Sequence, residues 1–284
     1  MQFEIPGRLA VADGRYLARD EGNDGAQRVL VVETLGAPSP PSRRRRRPRA
    51  ADPDNRPALA LARVTAVRAF APFDLDAEAE GWLGEAMATD ETLDAAVTEG
   101  VALLNRALHA QATASADPYV SELRPERMAT VRIGYGSGEE VAAGRFTVAH
   151  DVDVWASGAG RRRQRAEELR PQERVAAVLG RRERLDTCET MLLRTRADLD
   201  AGRIREAALQ LRVGLEALLA ELSGALVDPG HEQDMAELEA RRQAAGEAAN
   251  VALRGELGPE AERSVRELTE ICERVLRRRR VLRG

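Results

Sequence analysis

The spacing of hydrophobic residues changes near residue 157, and this change predicts two different parts of the chain. Before it, short apolar runs alternate with polar positions, which favours β-strands mixed with a few helices. After it, apolar residues recur at steps of three and four, as in amphipathic helices. We therefore predict an α+β protein, with a mixed domain over residues 1–156 and an antiparallel helical bundle over residues 161–284.

The mixed domain contains several apolar runs of strand length. The predicted strands span residues 9–12, 15–19, 27–35, 58–70, 128–133 and 145–155. The second and third form a hairpin across a turn-rich segment. Residues 58–70 leave a helix open as an alternative, because alanine and arginine are good helix formers. Two helices are predicted between the strands, one over residues 74–89 and one that begins with Asp90 as N-cap.

Residues 36–57 differ from both neighbouring segments. They combine repeated proline with a run of arginine and contain few apolar residues. Such a segment cannot bury enough apolar surface to offset its ordering entropy. The sequence predicts a disordered insertion between two strands.

The bundle is predicted from three uninterrupted apolar seams of the kind found in coiled coils. Gly202 marks a turn that makes residues 183–222 an αα-hairpin, and a short helix near residues 173–179 precedes it. A further helix continues through residues 235–252, with Arg242 where a hydrophobic residue is expected. The seams consist of Leu185, Cys188, Leu192, Thr195 and Leu199, of Ile204, Ala208, Leu211, Leu215, Leu218 and Leu222, and of Ala261, Val265, Leu268, Cys272 and Val275.

The predicted hairpin carries a local resemblance to known helical families. The phrase from Asp198 to Arg203, followed by Glu206-Ala207-Ala208 and Leu211, resembles the helix-turn-helix of a tetratricopeptide repeat, and residues 206–222 are similar to one helix of HEPN-type bundles. No second copy follows at a spacing of 34 residues, the period of such repeat arrays. The arginine and histidine motif of HEPN ribonucleases is also absent, since residues 183–284 contain only His231, which we expect in a loop. The chain as a whole resembles a protein family of high-GC actinobacteria, and this resemblance implies no particular activity.

Composition narrows the possible chemistry. All 43 basic residues are arginine, so no lysine can act as a Schiff base, general base or phosphate ligand. The net charge of -4 argues against a chain that is basic throughout, although residues 69–105 hold nine acidic residues and no basic one. That acidic block faces either solvent or the arginine runs elsewhere. Cys188 and Cys272 lie on predicted seams, where we expect buried, unreactive thiols.

One candidate catalytic cluster lies at the end of the second predicted helix. His109 is followed closely by Asp117 and Tyr119, and Asn105 and Arg106 precede it. A carboxylate near the imidazole could orient His109 as a general acid or base.

A glycine-rich segment is the candidate ligand-binding loop. The candidate residues are Arg132, Gly134, Tyr135, Gly136 and Gly138, and their backbone N–H groups could surround an anion. A dinucleotide site needs a full helix after its glycines, whereas a new strand follows within a few residues. A connection between two strands is therefore the alternative that we favour.

The sequence predicts no metal site and no cofactor. His150 falls in register with alternating apolar residues, which predicts a half-buried histidine, and Asp151 and Asp153 on the other face lack a third carboxylate for a cation. The three histidines are far apart and no CxxC motif is present.

Arginine runs are the candidate nucleic-acid contacts. They comprise Arg43, Arg44, Arg45, Arg46 and Arg47, a second run at residues 161–163, and Arg277, Arg278, Arg279 and Arg280. Arginine neutralises phosphates well, but no aromatic residue is interleaved for base stacking. Solvation or internal ion pairing is the alternative interpretation.

These patterns lead to a ranked set of functional hypotheses. The seams favour a non-enzymatic interaction or scaffold protein that binds a protein partner, or itself, through helices. Arginine-dependent nucleic-acid binding comes second, and an enzyme centred on His109 third. Because the N-terminus lacks the features of a secretory signal and no segment is apolar enough for a bilayer, we expect a cytoplasmic protein without membrane contacts.

Overall fold

The computed structural model describes residues 1–19, 27–36, 60–69, 72–154, 171–222, 224 and 228–283. It divides the chain into two compact units, Met1–Ala159 and Gly160–Gly284. The N-terminal unit combines an antiparallel sheet with helices and the C-terminal unit is helical, so the predicted α+β class is confirmed. The insertion predicted at residues 36–57 lies, except for Gly36, outside the described residues.

The N-terminal unit is built on six strands in the order β2-β3-β4-β1-β5-β6, in which every neighbouring pair is antiparallel. The predicted hairpin and the three later strands are confirmed. The strand predicted at residues 9–12 is wrong: this segment bends, although Val11 is buried. The strands are β1 (Gln2–Pro6), β2 (Gly14–Arg19), β3 (Gln27–Leu35), β4 (Leu61–Arg68), β5 (Thr130–Tyr135) and β6 (Val148–Asp151).

The two faces of the sheet differ in polarity. One face buries apolar side chains such as Phe3, Leu30 and Val64 in a common core. The opposite face carries charged cross-strand pairs, including Glu4 with Arg63 at 3.5 Å and Arg132 with Asp151 at 2.7 Å. Neighbouring positions of unlike charge stabilise adjacent strands.

Two helices, α1 (Asp76–Ala86) and α2 (Asp90–Ser115), cover the apolar face of this sheet. A 3-10 turn at Pro125–Arg127 precedes β5, and the short α3 (Gly138–Ala142) follows it. The N-cap of α2 is Thr89 rather than the predicted Asp90, because the Thr89 and Thr92 side chains form a reciprocal capping box. Part of the acidic block faces the sheet, where Glu99 pairs with Arg28 at 3.1 Å and with Arg68.

The described part of the C-terminal unit contains six helices, and none of the described helices has the length and apolar character needed to cross a membrane. The predicted short helix and the αα-hairpin are confirmed, and Gly202 adopts a left-handed φ of 74° between the two hairpin helices. The helices are α4 (Pro171–Leu179), α5 (Thr187–Asp200), α6 (Ile204–Leu222), α7 (Pro229–Ala240), α8 (Arg242–Ala252) and α9 (Pro259–Arg283).

Two details of the predicted bundle are wrong. The continuous helix predicted through residues 235–252 is divided at Arg241, and the break lets Arg242 point to solvent, where it donates to Glu216 at 2.8 Å. Leu185 is 60% exposed because α5 begins only at Thr187, so this leucine precedes the helix and leaves the seam.

The remaining seam positions form the interior of the bundle. Leu192, Leu215 and Leu268 are almost fully buried in one apolar cluster that α5, α6 and α9 share. Cys188 and Cys272 lie in the same cluster as free cysteines, and burial raises the pKa of each thiol to about 12. The prediction that both thiols are buried is confirmed, and low reactivity is what a raised thiol pKa leads us to expect.

Candidate functional site

The predicted catalytic cluster is spread over a helix and the loop that follows it. His109 is exposed on α2, and in the described part of the chain no hydrogen bond or ion pair joins its ring to Asp117 or Tyr119. Asp117 instead accepts the backbone N–H of Tyr119 at 2.9 Å, while the Tyr119 side chain is 88% exposed. Asn105 donates to and accepts from the backbone of Leu123 at 2.9 and 2.8 Å. Asn105 and Asp117 therefore hold the loop in place, and neither orients the imidazole.

The glycine-rich segment joins neighbouring strands. Gly134 and Tyr135 belong to β5 rather than to the predicted loop, and Gly138 opens the five-residue α3. A Cβ atom at Gly134 would overlap the carbonyl oxygen of Val148 and lie 2.9 Å from the Cα of Ala149. A Cβ at Gly136 would lie 2.9 Å from the backbone nitrogen of Thr147. These glycines let β6 and the segment before it approach β5 closely, which accounts for them without a ligand.

Replacing Gly134 with alanine is expected to lower the free energy of unfolding by about 2 kcal/mol, the cost of forcing extra volume into a packed site. Gly138→Ala is the matched control, since a Cβ there meets nothing within 4 Å. Urea denaturation of the two variants measures the difference. Equal stabilities would contradict the structural role of Gly134 and would favour ligand binding as the role of this segment.

The other two residues of this segment are engaged in contacts within the unit. Arg132 pairs with Asp151 across β5 and β6, and the Tyr135 hydroxyl donates to Glu80 at 3.4 Å. His150 is exposed near the end of β6, so the prediction of a half-buried histidine is wrong. Among the described residues, no group of three or more His, Cys, Asp or Glu side chains could hold a metal ion.

The arginine run on α9 is largely paired within the bundle. Arg278 lies 3.2 Å from Asp234, Arg280 lies 3.2 Å from Glu189, and Arg279 pairs with Asp186. These guanidinium groups would have to release carboxylates before they could bind phosphates. The runs at residues 43–47 and 161–163 lie outside the described residues.

Sequence patterns did not reveal the buried acidic residue that anchors this run. Glu189 on α5 is only 5% exposed, and it accepts hydrogen bonds from Arg174 of α4 at 2.9 and 2.6 Å and from Arg280 of α9 at 3.2 Å. Burial raises the pKa of Glu189, but the hydrogen bonds and charges of the two arginines outweigh it and hold that pKa below its ordinary value. Glu189 therefore links three helices as a carboxylate.

A second buried polar group lies at the start of α7. His231 was expected in a loop, and that prediction is wrong: it is the third residue of α7, is 2% exposed, and donates its backbone N–H to the N-cap Asp228 at 2.8 Å. Both ring nitrogens of His231 lack a hydrogen-bond partner among the described residues, whereas the nearby Asp234 is in an ion pair with Arg278. This group lies in the interior of the bundle, away from surface that a substrate can reach.

The described residues of α4 present an apolar surface to solvent. None of the side chains of this helix is buried, and its exposed fractions reach 56% at Val175 and 80% at Leu179. With Ala176, which is also exposed, these residues form what we call the α4 surface. The helix is attached on its other side by Arg174, which donates to Glu183 at 2.8 Å and to Glu189. Such a surface can bury aliphatic side chains of a partner.

Comparison of this chain with protein-family models, with curated proteins and with solved structures found no match.

Proposed function

We propose that this chain is a non-enzymatic, cytoplasmic interaction protein that binds helices of a protein partner through the α4 surface of its bundle. The observation that carries the proposal is the exposure of Val175 and Leu179 on a helix with no buried side chain. Residues four apart lie on one face of a helix, so the two side chains form a continuous aliphatic strip. Burying an aliphatic side chain of this size stabilises a complex by roughly 1.5–3 kcal/mol.

The attachment of α4 supports this proposal. A helix of nine residues is marginal on its own, and α4 gains little from packing in the described structure. Arg174 holds it through the buried carboxylate of Glu189, with N–O distances of 2.9 and 2.6 Å. Because this bond faces the bundle, the helix is fixed with its aliphatic strip outward, and binding needs little further ordering.

The contacts at the other candidate sites also support this proposal. Among the described residues the ring of His109 makes no hydrogen bond to the rest of its cluster, and Gly134 and Gly136 allow the close approach of the chain before and within β6 to β5. The arginines of α9 are paired with carboxylates of the bundle. The α4 surface, by contrast, consists of exposed apolar side chains on a helix with no buried residue, so these side chains are available to a partner.

Binding of labelled amphipathic helical peptides with leucines four residues apart tests the proposal. The peptide panel varies the flanking charges, and fluorescence anisotropy gives the dissociation constants. We expect Leu179→Asp to weaken binding at least tenfold, because a charge then replaces the most exposed aliphatic side chain of the surface.

Val213→Asp is the matched control, since Val213 is a 53% exposed valine on α6, outside the α4 surface. We expect it to bind the panel as the native chain does. The proposal is overturned if no peptide binds, or if both aspartate variants bind with unchanged affinity.

A further inference from the structure

We infer that the N-terminal unit carries a second interaction surface, on α1, that binds an arginine-rich segment of a partner protein. The surface consists of the aromatic pair Phe73 and Trp82 and of two glutamates on the same helix, Glu78 and Glu85, and we call it the α1 surface. It belongs to a different unit from the α4 surface, so this inference does not depend on the proposed function.

Two aromatic side chains form the apolar part of the α1 surface. Trp82 is half-buried on α1, and Phe73, in the segment before the helix, is 46% exposed. Their ring centroids lie 5.9 Å apart, with the ring planes inclined by 40°. Part of each side chain therefore remains in contact with solvent, where an aromatic ring can bind a cation.

The segment that carries this pair is acidic. Residues 69–105 hold nine acidic residues and no basic one. Glu78 and Glu85 are exposed and lie four positions before and three after Trp82, so the three side chains share one side of α1. Glu78 accepts the backbone N–H of Asp74 at 3.1 Å through Oε2, and among the described residues neither glutamate pairs with an arginine. Both carboxylates can therefore accept hydrogen bonds from a cation of a partner.

A glycine on the same side of α1 leaves room for the bound segment. Gly81 lies three positions after Glu78 and four before Glu85, and a Cβ atom there would meet nothing within 4 Å. Glycine is a poor helix former, and no close contact among the described residues requires it at this position. The missing side chain lets the backbone of a partner approach the helix between the two carboxylates.

Arginine is the side chain that fits this combination. Its planar guanidinium group can stack on an aromatic ring and donate two hydrogen bonds to a carboxylate, whereas the ammonium group of lysine has no planar face. Nucleic acids and anionic lipids are disfavoured as partners, because the glutamates repel their phosphates. The surface is small, so we expect a dissociation constant on the order of 100 micromolar.

Titration of the full chain with a labelled peptide of alternating glycine and arginine residues tests the inference by fluorescence anisotropy. The control ligand is the same peptide with citrulline, which replaces each guanidinium by a neutral group of nearly the same shape. We expect the arginine peptide to bind more weakly as salt is added, and the citrulline peptide to bind about tenfold more weakly than the arginine peptide. Equal binding of the two peptides, or binding of neither, overturns the inference.

Two double variants test the position of the bound peptide. Glu78→Gln combined with Glu85→Gln should weaken binding about fivefold, because both carboxylates become neutral while their shape is kept. The matched control is Glu206→Gln combined with Glu232→Gln, which removes the same charge at exposed positions of the C-terminal unit and should leave the affinity unchanged. An equal loss in both variants would show that the peptide responds only to the net charge of the chain, which overturns the α1 surface as its site.

Gly81→Ala separates binding from folding. It should raise the urea concentration at the midpoint of unfolding, because alanine favours the helix and has room at this position. It should also lower the affinity for the arginine peptide about threefold, because the added methyl group occupies the space between the carboxylates. An unchanged affinity contradicts the close approach of the bound segment to α1.

The fluorescence of Trp82 gives a local measure of stacking. The chain has two tryptophans, so in a Trp155→Phe variant the tryptophan emission comes from Trp82 alone. Binding of the arginine peptide should change this emission with the same dissociation constant that anisotropy gives. An emission that stays constant at saturating peptide would place the peptide away from Trp82 and overturn the inference.

Discussion

Replacing Glu189 with alanine is expected to lower the free energy of unfolding by about 3 kcal/mol, because it leaves two guanidinium groups without the carboxylate that they share. Arg174 and Arg280 approach the same buried side chain from two different helices. Their own side chains are partly exposed, so water recovers some of the loss and the effect stays near the lower end for a broken buried ion pair. Urea denaturation followed by far-ultraviolet circular dichroism measures it.

Glu270→Ala is the control for this prediction, since it makes the same substitution at an exposed position of α9. We expect it to change the unfolding free energy by less than about 0.5 kcal/mol. Hydrogen exchange adds a local readout: amides of α4 should exchange faster in Glu189→Ala, because Arg174 then loses the stronger of its two attachments. Similar stabilities for the two alanine variants would show that Glu189 does not hold α4.

The helical half of the fold was predictable because its signals are local. Leu211, Leu215 and Leu218 recur at helical spacing and are all buried, and Gly202 lies at the turn where a left-handed residue is required. Periodicity depends only on neighbours within the same helix. The seams therefore predicted the order of the main helices, although not the break at Arg241.

The sequence patterns failed for elements whose structure depends on residues far away in the chain. β1 was not predicted, and it is a five-residue strand whose place in the middle of the sheet comes from pairing with β4 and β5, far along the chain. Its alternation of Gln2, Phe3, Glu4 and Ile5 was the available signal, but it is short.

The buried polar residues of the bundle were also difficult to predict from local sequence patterns. Glu189 lies beside Cys188 on the predicted seam, and only the arginines of two other helices explain its burial. His231 could have been placed, since Asp228 followed by proline is a typical helix start and puts His231 in the first turn of α7. The α4 surface could be recognised only from the structure. Val175 is exposed because Arg174 attaches a different side of α4 to the bundle, and the sequence does not show which side this is.

The stability of the N-terminal unit is expected to rise with pH between about 6 and 8 because of the amino group of Met1. Burial lowers the pKa of this group from 8.0 to about 6, the charge of Arg68 also lowers it, and Glu99 opposes the change. Met1 directly precedes β1, and its amine donates a hydrogen bond to the backbone oxygen of Ala66 on β4 at 3.0 Å. Its location in the fold therefore disfavours the charged form relative to the unfolded chain.

The sign of the effect follows from proton binding. Between pH 6 and 8 the unfolded chain binds more protons at this amine than the folded chain does, so the unfolding free energy increases with pH. The pKa difference corresponds to about 2–3 kcal/mol of unfolding free energy. This stabilisation is fully present above pH 8, is lost as the pH falls toward 6, and does not change further below pH 6. Denaturation of the chain at pH 5.5 and at pH 8.5 brackets this window.

A chain with one additional glycine before Met1 isolates the contribution of the amine. The extension keeps a backbone N–H at Met1 that can still donate to Ala66, while the charged group moves one residue outward, away from its buried position. We expect the extended chain to be more stable than the native one near pH 5.5 and similar to it near pH 8.5. Comparing the two chains cancels the titration of the histidines and carboxylates, which they share. The assignment fails if the extension leaves the pH dependence of stability unchanged, because some other group would then have to bind the proton.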